Sequence, residues 1–149
     1  EEQTTEGGLD VVGQRVRIGE AVKKLRDAGI VVSLFIEPVP DQIATSRELG
    51  VQQIELHTGE YCLATGTQQA RELQRLAEGA RLADSLGLQV AAGHGLSVGN
   101  LVPVAAIPEV AEMNIGHALI ADALFVGLPA SIAAFRDAIR RGEAARGAG

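Results

Sequence analysis

The sequence has one cysteine, no excess of positive charge and no long apolar run, and each shortage excludes a class of protein. Since Cys62 is the only cysteine among 149 residues, no intrachain disulfide can form. That is typical of a reducing compartment, and we expect a cytoplasmic location. The net charge of −6 at pH 7 lacks the basic footprint of a nucleic-acid binder. No apolar stretch reaches the length of a membrane span, so we expect neither nucleic acid nor membrane as a partner.

The first residues are polar and acidic, which is not the pattern of a signal peptide. They also lack an initiator methionine, so we expect processing, a fragment or a longer parent chain. Hydrophobic residues make up 46% of the chain and charged residues 21%. These proportions are typical of globular proteins, and we expect one domain over residues 1–149.

Two hydrophobic periods alternate along the chain, which predicts strands separated by helices. Short apolar runs predict strands at residues 30–36, 51–57, 88–92 and 112–115. Helical spacing predicts a first helix between a cap at Asp10 and Gly29, and a long one between a capping box at Thr65 and Gly87. Further helices are predicted at about 40–49, after Asn100, and at 118–126 and 131–141. The tail from 142 is predicted to be frayed. This order is typical of an α/β protein with a parallel sheet. Four such strands fit either an open doubly wound sheet or half of a (β/α)8 barrel.

Polar residues gather at the ends of the predicted strands. In parallel α/β folds the ligand site lies at the carboxyl ends of the strands, so residues distant in sequence are expected to meet there. A single histidine at a strand end is often structural, but three in equivalent places favour a site. The residues in question are Glu37, Glu55, His57, Thr58, His94, Asn114 and His117.

Glu55 and the nearby Gly116 each have a competing structural explanation. Glu55 lies between Ile54 and Leu56, so its side chain points to the opposite face of the strand. In a barrel that face is the interior, where a carboxylate forms an ion pair or takes part in catalysis, and we favour catalysis. Gly116 precedes a predicted helix whose free N–H groups favour phosphate binding, although a glycine there also fits a plain turn.

Glycines surround His94 without the spacing of a dinucleotide-binding fingerprint. Such glycines are expected to let the backbone approach a ligand closely. The pattern alone therefore predicts a ligand loop without identifying the ligand.

Five segments together resemble the pyridoxine 5'-phosphate synthase family. They are TTEGGLD at 4–10, VSLFI at 32–36, IELHTG at 54–59, AGHGL at 92–96 and NIGHA at 114–118. The resemblance implies a TIM (β/α)8 barrel, of which this chain carries roughly strands five to eight. It implies condensation of 1-deoxy-D-xylulose 5-phosphate with 3-amino-2-oxopropyl phosphate to pyridoxine 5'-phosphate, phosphate and water. It also implies that no metal or organic cofactor is needed.

The same resemblance implies roles for individual residues. His94 is implied to be the proton donor and Glu55 the transition-state stabiliser. Substrate contacts are implied for Thr4, with the deoxyxylulose phosphate, and for Gly95, Gly116 and His117, with the amino-oxopropyl phosphate. A homo-oligomer that takes small phosphorylated substrates is implied as well. The family's other general bases, a histidine and a glutamate, belong to earlier strands, so these 149 residues alone are expected to be inactive.

Two alternatives stay open. A metal-dependent TIM-barrel hydrolase is one, because Glu55, His57, His94 and His117 have the chemistry of metal ligands. The sequence has no HxH or HExxH pair, which weighs against it. The other is a non-catalytic module whose glycine loops bind a phosphorylated ligand.

Overall fold

The structure is a computed structural model that describes residues 7–146, in which helices and strands alternate. The alternation predicted from the sequence is confirmed. The elements are α1 Arg15–Asp27, β1 Ser33–Ile36, α2 Pro40–Glu48, β2 Gln53–His57, α3 Gly59–Leu63, α4 Gly66–Ser85, β3 Gln89–Gly93, α5 Leu101–Ala105, β4 Val110–Asn114, α6 His117–Val126 and α7 Leu128–Ala145.

The four strands form one parallel sheet in the order β1-β2-β3-β4. Each strand pairs with the next one along the chain, because a helical connection returns the chain to the same end of the sheet each time. The order contains no reversal, and a reversal is what defines a doubly wound sheet. The predicted parallel α/β fold is therefore confirmed, and the four described strands follow one another across the sheet without a reversal.

One face of the sheet is apolar and the other is polar. Leu34 and Ile36 of β1, with Ile54 and Leu56 of β2, are buried in the hydrophobic core. The alternate residues point the other way because side chains alternate along a strand. On that polar face the Gln53 amide donates a hydrogen bond of 3.1 Å to Glu112 two strands away. The expected orientation of Glu55, opposite to its two neighbours, is what this alternation produces.

Helix α4 covers the apolar face and supplies much of the core. Its side chains Leu76, Ala80 and Ala83 are buried at helical spacing, as the sequence predicts. Thr65 occupies the N-cap position with an extended backbone, but its side chain makes no capping hydrogen bond. The helix is therefore stabilised by packing of its apolar stripe rather than by the predicted capping box.

Asp10 does not cap the first helix, which begins at Arg15. Its carboxylate instead accepts hydrogen bonds from the Gly13 N–H at 2.9 Å and the Gln42 amide at 3.0 Å. Those two bonds, the Gly13 one foremost, lower the pKa of Asp10. The residue therefore ties the turn before α1 to α2.

The first strand is shorter than predicted. Ile30 and Val31 are exposed, and pairing begins only at Ser33. The Val32 N–H is bonded to the side chain of Gln52 at 3.0 Å rather than to a strand partner. Residues 30–32 are therefore apolar but are not part of the strand.

The predicted frayed tail is wrong over residues 142–145, which continue α7. Gly142 is buried against α5, and the Arg146 guanidinium donates hydrogen bonds of 2.9 Å to the carbonyls of Ala105 and Val110. These tertiary contacts extend the helix. Of the helices between residues 7 and 146, none is both long and apolar enough to cross a bilayer.

Candidate active site

His94 has a backbone conformation that side chains rarely adopt. It follows β3 with φ of 81°, the only non-glycine residue with positive φ between residues 7 and 146. The left-handed region costs a non-glycine residue about 1 kcal/mol or more, so surrounding contacts must impose it. The Thr58 hydroxyl supplies one, because it lies within hydrogen-bond distance of the carbonyls of both Gly93 and His94. Strained residues of this kind concentrate at functional sites.

Aromatic rings surround the His94 imidazole on one side. Its ring centroid lies 4.9 Å from that of His57 and 6.3 Å from that of Phe35. The Phe35 and His57 rings meet edge to face at 5.0 Å. Phe35 and His57 lie at the carboxyl ends of adjacent strands, so strand pairing brings these rings together.

Glu55 is held in place by an amide from the last strand. The Asn114 side chain donates a hydrogen bond of 2.7 Å to one carboxylate oxygen. The other oxygen lies where a Cβ at Gly93 would be, so any larger residue at 93 would displace the carboxylate. Because Gly93 of β3 has no side chain, the Glu55 carboxylate of the neighbouring strand β2 can occupy that space.

His57 is connected to an ion-pair chain on α4. Its Nδ1 lies 2.6 Å from a Glu37 carboxylate oxygen, and the other Glu37 oxygen pairs with Arg75 at 3.2 Å. Arg75 also pairs with Glu72 at 2.7 Å. Glu37 and His57 thus form a carboxylate–imidazole pair at the carboxyl ends of β1 and β2.

Two cavities meet at His94. The first, of about 400 Å³, is lined by His94, Gly95, Leu96, Asn114, Ile115, Gly116, His117 and Ala118. The second, of about 410 Å³, is lined by His57, Gly59, Glu60, Cys62, Leu63, His94 and Gly95. His94 and Gly95 line both, so the two cavities border the same loop.

The first cavity is lined by four of the six residues to which the family resemblance gives a role. His94, Gly95, Gly116 and His117 all line it. Glu55 is not among the lining residues, but its partner Asn114 is. Gly116 is the N-cap of α6, which begins at His117, so free N–H groups of the first helical turn lie at this cavity. Thr4 lies outside the described residues.

A larger cavity, of about 610 Å³, lies at the other end of the sheet. It is lined by Lys23, Arg26, Asp27, Gly29, Ile30, Val31, Leu49 and Gln52, which precede β1 and β2 or end α1 and α2. None of the predicted site residues is there. Ligand sites of parallel α/β folds lie at the carboxyl ends of strands, so we assign the site to the cavities at His94 despite their smaller size.

Cys62 and the short helix α3 were missed by sequence reasoning. Helix α3 follows β2 directly and brings Cys62 under the His94 loop, with its thiol 3.5 Å from the His94 carbonyl. Burial raises the pKa of this thiol, against the opposing effect of hydrogen bonds with Thr58 and Asn100. A five-residue helix has too little periodicity to be recognised, so no signal in the sequence marked it.

The possible metal ligands do not converge. Within residues 7–146, no three His, Cys, Asp or Glu side chains lie close enough together to hold a metal ion. His57, which the metal alternative requires, has its Nδ1 bonded to Glu37.

The fold and the site define a parallel α/β protein with a polar cavity at the carboxyl ends of its strands. Residues 1–141 match the family described as "Pyridoxal phosphate biosynthesis protein PdxJ", and the chain belongs to that family. The resemblance inferred from the five segments is thereby confirmed.

Relatives named pyridoxine 5'-phosphate synthase occur in several bacteria. The chain is 55% identical over 136 residues to the protein of Caulobacter vibrioides, covering 89% of this chain and 54% of the relative. It is 52% identical over 136 residues to that of Zymomonas mobilis, covering 91% and 53%. It is 50% identical over 153 residues to that of Xanthobacter autotrophicus, covering 100% and 60%. The chain therefore spans a little over half the length of these relatives.

Proposed function

We propose that this chain is the C-terminal portion, roughly strands five to eight, of a single TIM-barrel domain with pyridoxine 5'-phosphate synthase activity. The observation that carries the proposal is the cavity lined by His94, Gly95, Gly116 and His117 at the carboxyl ends of the strands. The unreversed strand order supports the barrel, since neighbouring strands of a barrel follow one another along the chain. Family membership supports the activity.

The proposed reaction joins 1-deoxy-D-xylulose 5-phosphate to 3-amino-2-oxopropyl phosphate and releases phosphate and water. Amine addition to a ketone, loss of water and ring closure are all proton transfers. In this proposal His94 donates the proton, because an imidazolium ring can donate a proton and the neutral ring can accept one back. His94 lines both cavities, which supports contact with a ligand bound in either.

Glu55 supplies negative charge where cationic imine character develops. Asn114 fixes one of its oxygens, so the carboxylate is oriented before the substrate arrives. A preoriented charge stabilises a transition state without reorganisation at the moment of reaction. Asn114 also lines the His94 cavity, so the carboxylate that it holds is one hydrogen bond away from the proposed reaction site.

The phosphate group of the amino-oxopropyl substrate is held at Gly95, Gly116 and His117. Gly116, the N-cap of α6, and His117 and Ala118 of its first turn line this cavity, and helix N-termini bind phosphate well. Binding the phosphate there positions the reacting carbons near His94. Thr4 is proposed to contact the deoxyxylulose phosphate. A homo-oligomeric, cytoplasmic enzyme without metal or organic cofactor completes the proposal.

The test is His94→Asn in the full-length protein, with formation of pyridoxine 5'-phosphate as the readout. Asparagine tolerates the left-handed backbone of position 94, so the loop is retained while the titratable group is lost. We expect kcat to fall by about 100-fold to 10,000-fold, the usual contribution of a general acid. Circular dichroism of the variant controls for folding.

Three results would contradict the proposal. An unchanged rate in His94→Asn would show that His94 is not the acid and would favour the phosphate-binding module. Stoichiometric zinc, with activity lost to a chelator, would favour the metal-dependent hydrolase. Absence of pyridoxine 5'-phosphate with both substrates and the wild-type protein would reject the activity itself.

A further inference from the structure

His57 is a buried histidine with one nitrogen unaccounted for. Only 4% of its side chain is exposed, and Nε2 has no hydrogen-bond partner among the described residues. Leaving a buried polar atom unpaired costs about 1 to 3 kcal/mol, so native proteins rarely do so without a reason. A buried nitrogen without a protein partner favours a partner from outside the chain, such as a ligand group.

Glu37 determines which nitrogen is free. Its Oε1 lies 2.6 Å from Nδ1 and also accepts the Gly8 N–H at 3.3 Å, while Oε2 accepts from Arg75. A carboxylate that accepts on both oxygens receives a hydrogen from Nδ1, so the neutral ring carries its lone pair on Nε2. The same arrangement, a carboxylate behind an imidazole, orients catalytic histidines in many enzymes.

The free nitrogen lies against Gly59 at the second cavity. A Cβ at Gly59 would lie 2.6 Å from Nε2 and 2.7 Å from Cε1, closer than a carbon atom can approach. Only glycine at 59 therefore leaves the imidazole its place at the edge of this cavity. His57, Gly59 and His94 all line the 410 Å³ cavity, which contains no residue assigned so far except His94 and Gly95.

We propose that His57 is a second proton-transfer residue, whose Nε2 contacts an O–H or N–H group of a substrate bound between α3 and His94. Glu37 is its positioning residue. The inference rests on the proposed function, to which it adds a second acid–base group. In the step, Nε2 takes the proton of that group and the bonding electron pair stays on the substrate. The imidazolium, stabilised by Glu37, then returns the proton to a departing hydroxyl, which leaves as water.

The first experiment separates catalysis from structure by substituting His57→Asn in the full-length protein. Asparagine keeps a donor near the Nδ1 position for Glu37 but has nothing at the Nε2 position. We expect kcat to fall by about 100-fold or more while KM stays near the wild-type value. A kcat within twofold of wild type overturns the inference and leaves the proposed function intact.

Glu37→Gln tests the positioning role, with Glu78→Gln as the matched control. Glutamine can still accept the Nδ1 hydrogen but does not stabilise a positive ring, so we expect a lower kcat with little change in KM. Glu78 lies exposed on α4, where its carboxylate accepts a hydrogen bond from the Gln74 amide, and its substitution is expected to change neither constant. Equal effects of the two substitutions would overturn the role of Glu37.

A second measurement keeps the inference testable if His57→Asn does not fold. The wild-type protein is labelled with nitrogen-15 in histidine, and the Nε2 signal of His57 is followed as each phosphorylated substrate is added singly. We expect one of them to move the signal toward a hydrogen-bonded nitrogen. A signal that neither substrate moves overturns the inference. If the wild-type protein makes no pyridoxine 5'-phosphate, the proposed function fails, and a moving signal still supports ligand contact by His57.

Discussion

Gly142→Ala is expected to destabilise the protein even though it removes a glycine from a helix. Such a substitution normally stabilises a helix by about 0.5 to 1 kcal/mol, because glycine loses more backbone freedom on folding. At position 142, however, the added Cβ would lie 2.5 Å from the Ala105 Cβ and 2.6 Å from the Val102 carbonyl oxygen. Both atoms belong to α5 and are fixed by its backbone, so one helix must move away from the other.

Overpacking of this kind costs about 1 to 3 kcal/mol, which exceeds the gain in helix propensity. Movement of α5 would also strain the hydrogen bond that Arg146 donates to the Ala105 carbonyl. We therefore expect a net loss of about 1 to 2 kcal/mol, measured by urea unfolding of the full-length protein at one fixed protomer concentration.

Gly19→Ala is the matched control, because the added Cβ in α1 would meet only the end of the Leu49 side chain, at 3.1 Å. That flexible side chain can yield, so this variant is expected to be as stable as wild type or more stable, by up to about 1 kcal/mol. The reasoning is refuted if Gly142→Ala is as stable as wild type, or if both variants lose stability equally.

Three further predictions follow from other contacts. Thr58→Val keeps the shape but removes the hydroxyl that holds the His94 carbonyl, so we expect about 1 to 2 kcal/mol less stability in urea unfolding; no loss would contradict this role. Arg146→Ala removes two hydrogen bonds at the end of α7 and is expected to increase amide hydrogen exchange in its last turn, whereas unchanged exchange would show that the bonds are dispensable. Because burial raises the pKa of Cys62, alkylation by iodoacetamide at pH 7 should be slower than for free cysteine and should accelerate as the pH rises past 9; a rate equal to that of free cysteine at pH 7 would contradict this.

Patterns with a clear physical period were predicted correctly. The apolar stripe of α4 and the alternation that turns Glu55 away from Ile54 and Leu56 follow from the geometry of helices and strands, which each residue's neighbours in sequence reveal. Boundaries were predicted less well. The carboxylate of Asp10 looks like a helix cap, yet it is used by a turn and by Gln42, which is 32 residues away.

Local patterns and motifs along the chain were enough to predict the alternation of the strands with the longer helices, the family, and the polar residues after each strand. Three other features arise only in the folded chain: the left-handed backbone of His94, the hydrogen bond from Asn114 that fixes Glu55, and the unpaired Nε2 of His57 among the described residues. Each of these depends on atoms brought together from different strands, at distances that no spacing along the chain contains. The same holds for the end of α7, where packing against α5 extends a helix that composition alone would end at residue 141.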